Sequence, residues 1–159
     1  MFEAKRNGGG GYSLYDSELG ESNRRKLTIE SKLRQAIAND ELFLMYQPKL
    51  ELATGAVVGA EALVRWRDGD TVVPPDEFIP VAESSGLILP LGELVIRNAA
   101  RQIHDWRRRG FELDHVAVNV ATPQFKGGDF PQIVEKILAE FQLPFDMFCL
   151  LYTSDAADE

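Results

Sequence analysis

The sequence predicts an α/β protein built as the first half of an eight-stranded (β/α)8-type barrel, truncated and preceded by a helix. Three observations carry this. After an opening hairpin-like pair, the segments run strand, helix, strand, helix, the order that gives a parallel sheet with helices outside. The helical segments show clean apolar stripes, whereas the strand segments are short apolar or alternating runs. Finally, the chain has 159 residues, while a closed barrel of this kind needs about 250.

Each element can be justified in order. From Asn23 onward Ile29, Leu33, Ala36 and Ile37 form one apolar stripe amid Arg, Lys and Glu, as on a linking helix. Leu42 to Tyr46 is a short apolar run suited to a buried strand, which Pro48 weakens at its far end. Thr54-Gly55 marks a turn, and Val57 to Trp66 reads as a second strand. Pro74 and Pro75 open a loop, and Asp76 to Ser84 reads as a short helix. Leu91, Leu94, Val95, Ala99, Ile103 and Trp106 recur at helical spacing, and Gly110 stops that helix after Arg107, Arg108 and Arg109 have complemented its dipole. Val116 to Val120 is a third strand. Phe130, Ile133, Val134, Ile137, Leu138 and Phe141 make a last stripe, with Asp129 placed to cap it.

Composition narrows the function. A net charge of −8 argues against binding a DNA or RNA polymer, which usually needs a basic surface. It leaves room for an anionic ligand, because bound cations reverse the local sign. No apolar run approaches the roughly 18 residues that span a membrane. The single cysteine excludes a disulfide framework within the chain and fits a cytoplasmic location.

The second strand carries the candidate chemistry. Alternation puts Val58, Ala60, Ala62, Val64 and Trp66 on one face and Gly59, Glu61, Leu63 and Arg65 on the other. Glu61 and Arg65 stand about 13 Å apart along a strand and cannot satisfy each other. Each needs a partner from elsewhere, either another side chain in a barrel-interior salt bridge or a ligand. Asn119 shares a face with Ala117 near the carboxyl end of the third strand, where barrel enzymes build their sites; an amide there can also simply cap the following loop. Gln47 has a weaker claim of the same kind. His104 and His115 lie outside any metal-ligand spacing, and no Walker loop or Gly-x-Ser-x-Gly elbow occurs.

Four spaced segments then fall in register: Tyr46-Gln47-Pro48, Glu61-Ala62-Leu63-Val64-Arg65-Trp66, Phe78-Ile79-Pro80-Val81-Ala82-Glu83 and Val118-Asn119-Val120. Together they resemble the EAL domain, over roughly Leu33 to Phe148. The start, Ala4-Lys5-Arg6-Asn7 through Tyr12, resembles the last turn of a GGDEF (diguanylate cyclase) domain, whose own signature is absent from these residues. The implied layout is a GGDEF remnant and linker over 1–22 and the N-terminal half of an EAL domain over 23–148. Residues 149–159 (CLLYTSDAADE) form a non-native tail in this reading, since they resemble the translation of a sequencing-library adapter and continue no pattern set up before them.

The resemblance implies an EAL-type, TIM-like barrel that hydrolyses cyclic di-GMP to its linear dinucleotide with Mg²⁺ or Mn²⁺. By motif match Glu61 and Asn119 would ligate metal, Arg65 would hold a phosphate, Leu63 would shape the wall by the nucleotide, and Gln47 would contact the ligand. Glu83 would be structural. Partners implied are cyclic di-GMP, an upstream GGDEF domain in a parent protein that could be membrane-anchored, and a second EAL copy in a homodimer. The tail begins where the family has a Glu-x-x-Glu strand, and the later acids and lysine are also missing. One carboxylate and one amide do not build a two-metal site, so the chain itself is expected to be inactive. The alternatives are a non-catalytic cyclic di-GMP receptor and a protein scaffold, the latter disfavoured by Arg65 and Gln47.

Overall fold

The computed structural model describes residues 17–111, 113–126 and 128–153. Helix α1 (Ser17–Ala38) leads into an antiparallel pair, β1 (Leu42–Leu50) and β2 (Val57–Asp68), and β2 is extended by the short β3 (Thr71–Val73). Helices α2 (Pro75–Ser85) and α3 (Ile88–Arg108) then cross to β4 (His115–Ala121). A one-turn α4 (Thr122–Lys126), helix α5 (Phe130–Glu140) and a 3-10 turn precede β5 (Phe148–Thr153). The sheet order is β1-β2-β4-β5, with β2-β4 and β4-β5 parallel, so the expected antiparallel opening and parallel continuation are both present.

The strand alternation decides where the core lies. Ala60, Ala62 and Trp66 of β2 and Val116, Val118 and Val120 of β4 are buried beneath the helices. Leu33 and Ala36 of α1, Phe78 of α2, Leu91, Ile96 and Ile103 of α3, and Ile137 and Leu138 of α5 close over them. Trp66 and Phe78 meet edge-on at 5.7 Å, and Trp106 meets Tyr46 at 4.7 Å, so both tryptophans are packing residues as expected. Ion pairs hold α1 in place, Arg25 to Glu77 on α2 at 2.6 Å and Lys32 to Asp68 at the end of β2.

Three local expectations are corrected. Pro48 does not end β1, which runs on to Leu50 as an edge strand, the position where a missing N–H costs nothing. Asp129 precedes α5 but makes no side-chain cap bond; Pro131 removes one of the N–H groups such a cap would receive. Residues 149–153, expected to carry no strand pattern, pair in parallel with β4 from Ala117 to Ala121. Tyr and Thr suit a pleated surface, and the edge of β4 offers unpaired backbone groups to any such segment. The proposed GGDEF-like stretch lies outside the described residues.

Two tight contacts set the β2-β4-α3 geometry. A Cβ on Gly59 would stand 2.8 Å from the His115 carbonyl oxygen, so glycine lets β4 approach β2 at this register point. A Cβ on Gly92 would overlap the Gln124 amide, so glycine lets α4 seat against α3.

Candidate active site

The uncovered face of the sheet carries the sequence-predicted residues. Gln47 lies directly across from Glu61 in the β1-β2 register, and Glu61 lies beside Ala117 in β4. Asn119, two residues further along β4, therefore points to the same face. Its Nδ2 donates to Glu61 Oε1 at 2.8 Å. Of the two readings open for Glu61, the partner found is thus the other candidate and not a basic residue. Arg65 makes no salt bridge among the described residues; its Nη1 donates to the Val64 carbonyl at 2.8 Å.

Beyond this pair, a cavity of about 400 Å³ opens between the carboxyl-side halves of β2 and β4 and the helices α2, α3 and α4. Leu63, Arg65 and Asn119 line it, together with Asp76, Glu83 and Gln124. Glu61 touches it only through Asn119, and Gln47 stands exposed on the edge strand outside it. The structure thus groups Glu61, Leu63, Arg65 and Asn119 and leaves Gln47 as an outlying neighbour. Glu83, expected to be structural, faces the cavity. Sequence reasoning missed Gln124, which is 4% exposed and is the one buried polar residue among those described. The available signal was a glutamine on the apolar approach to a helix immediately after a strand bearing a candidate residue.

The oxygen donors can be tested against a divalent cation. Turning the Asn119 amide about its terminal bond puts Oδ1 where Nδ2 now stands, beside Glu61 Oε1. A carboxylate and an amide oxygen then converge, the hard donors that Mg²⁺ and Mn²⁺ take. The pair fits part of a coordination sphere. Among the described residues no group of three or more His, Cys, Asp or Glu side chains comes together as a metal site.

A mixed α/β sheet thus gathers a carboxylate, an amide and a guanidinium toward the carboxyl ends of its parallel strands, the place where barrel enzymes build their sites. The sequence matches the EAL domain family over residues 30–157, and the chain belongs to that family. It is 37% identical over 145 residues to the signalling protein YkoW of Bacillus subtilis, covering 91% of this chain and 18% of that protein. It is 36% identical over 146 residues to the cyclic di-GMP phosphodiesterase PdeR of Escherichia coli, covering 91% and 22%. Among solved structures, a PaMucR phosphodiesterase in complex with c-di-GMP superposes with a TM-score of 0.73 at 34% identity, over 77% of this chain and 50% of that one. The chain thus spans about a fifth of the curated relatives' length and half of that solved chain. No helix among the described residues is long and apolar enough to cross a membrane.

Proposed function

We propose that this chain is the N-terminal part of a metal-dependent cyclic di-GMP phosphodiesterase. The observation that carries the reading is the 2.8 Å meeting of Asn119 with Glu61 beside a cavity that Leu63 and Arg65 line. Glu61 and Asn119 would hold Mg²⁺ or Mn²⁺. Such an ion, when bound, withdraws charge from a phosphoryl oxygen and lowers the pKa of bound water. Arg65 would leave the Val64 carbonyl to take a phosphate with its planar fork. Leu63 would bound the nucleotide, and Gln47 would approach it from the edge strand.

The layout follows the same reading: 1–22 as a GGDEF remnant and linker, 23–148 as the EAL half, and 149–159 as a foreign tail. A relative named as a bifunctional diguanylate cyclase and cyclic di-GMP phosphodiesterase, MucR of Pseudomonas aeruginosa, aligns over 158 residues at 33% identity and supports the upstream assignment. The parent would work in the cytoplasm, with EAL homodimers as its assembly.

The test is to read the genomic DNA downstream of the Phe148 codon and assay the extended protein with cyclic di-GMP and Mg²⁺ or Mn²⁺. Turnover by the extended protein, lost in Glu61→Gln, and none by residues 1–159, is the expected result. Metal-dependent turnover by the 159-residue chain alone would overturn the assignment of essential acids downstream. Binding without turnover by the extended protein would replace the phosphodiesterase with a receptor.

A further inference from the structure

The Gln124 amide is buried behind the Glu61–Asn119 pair and touches neither of them. Its Oε1 accepts the Ala121 backbone N–H at 2.9 Å, at the last residue of β4. Its other end lies against the bare Cα of Gly92 on α3, where even a methyl group would collide with the Gln124 amide. Ala121 is two residues beyond Asn119, whose amide reaches Glu61. Gly92 thus bears on Gln124, Gln124 on the Ala121 backbone, and the strand backbone through Val120 joins Ala121 to Asn119 and its partner Glu61.

We infer that Gln124, seated on Gly92, is a positioning residue that sets the aim of Asn119. This rests on the proposed role of Asn119 as a metal ligand and adds what holds that ligand in place. At Ala121 the chain leaves the sheet for a one-turn helix, and the ladder to β5 ends at the Ala121–Thr153 pair. From within that turn Gln124 accepts the last N–H of the strand, on top of the pairing with β5. Burial makes the device exacting, because leaving the Ala121 N–H without an acceptor costs the full desolvation of that group. Ligand aim within a fraction of an ångström is what outer-shell hydrogen bonds provide at metal sites.

The test uses the 159-residue chain in two samples, one labelled with ¹⁵N at asparagine only, for the Asn119 side chain, and one labelled uniformly, for the Ala121 amide. The sequence has five asparagines, so Asn119 can be identified by comparison with Asn119→Asp. Without metal, Gln124→Met and Gly92→Ala should each move the Asn119 side-chain amide resonance away from its hydrogen-bonded position. Ile137→Val, a trim in the α5 core, should lower the melt while leaving that resonance in place. In the wild-type chain the Ala121 amide should exchange slowly, and Gln124→Met should speed it by about tenfold or more.

A Gln124→Met chain that loses stability while Asn119 stays at its wild-type position would overturn the inference, as would fast Ala121 exchange in the wild type. The latter measurement stands even if neither substituted chain folds. Addition of Mn²⁺ tests the underlying reading separately. If Mn²⁺ fails to broaden Asn119 in the wild type, the metal assignment falls while the metal-free shifts still decide the positioning role.

Discussion

Gly59→Ala should destabilise the chain through one contact. The Cβ would stand 2.8 Å from the His115 carbonyl oxygen, where ordinary contact begins near 3.4 Å. One strand must then yield by about 0.6 Å at a point where backbone cannot rotate out of the way, and neighbouring contacts lose part of their well depth. Overpacking of this kind costs about 1–3 kcal/mol. Fewer unfolded conformations for alanine return roughly 0.4–1 kcal/mol, leaving a net loss centred on about 1.3 kcal/mol. Urea unfolding followed by far-UV circular dichroism should show the midpoint falling by roughly 0.5–1 M at unchanged slope. Gly55 serves as the contrast: its φ is +72° with nothing within 4 Å, so Gly55→Asn should be tolerated because asparagine visits that region. A Gly59→Ala midpoint equal to the wild type's would refute the claim that glycine is there to let β4 approach.

Other outcomes follow from the same geometry. Burial holds the Tyr46 hydroxyl pKa well above its ordinary value of 10. The folded chain keeps that proton while the unfolded chain releases it, so the contribution is intact below about pH 10 and is lost as pH rises, at roughly 1.4 kcal/mol per unit. Tyr46→Phe should flatten the fall of the urea midpoint between pH 9 and 11 on the order of that slope, and an unchanged fall would assign it elsewhere. Arg97, whose pKa is raised chiefly by its hydrogen bond to Glu140, ties α3 to α5 at 2.7 Å and also reaches Glu93. Arg97→Ala should cost about 0.3–1 kcal/mol and less in 1 M salt, with no change between pH 6 and 9, since the guanidinium stays charged. Glu61→Gln should keep the melt close to wild type, because an amide oxygen can still accept from Asn119, while weakening Mn²⁺ binding by about tenfold or more in relaxation titrations.

The fold was legible wherever an apolar period was long. The stripe from Leu91 to Trp106 gave α3, and the alternation from Val57 to Trp66 gave β2 together with the face that each of its side chains takes. Short elements escaped because their residues carry no period. Thr71–Val73 is a strand because β2 runs past its expected end and offers a partner, and the one-turn Thr122–Lys126 is tied to the strand before it by the Gln124 side chain. For the site, strand parity alone put Glu61, Leu63 and Arg65 on one face. What parity could not supply was the register between β2 and β4, a long-range quantity. That register aligns Glu61 with Ala117 and so brings Asn119 within reach.

The register itself has a local cause. Glu61 lies two residues past Gly59, and Asn119 lies two past Ala117, the neighbour of Glu61. In a parallel pair, side chains on the same face recur every two residues, so the offset that pairs Gly59 with His115 leaves Asn119 one same-face step ahead of Glu61. An asparagine reaching back along the strand closes that step with a 2.8 Å hydrogen bond. Sliding β4 by one residue would instead turn Asn119 into the apolar layer beneath α3 and bring a valine out in its place. Burial of Val116, Val118 and Val120 opposes that slip, because each would leave a site that is at most 1% exposed. The hydrophobic layer outside the sheet thus fixes the polar pair inside it, and Gly59 permits the approach that both require.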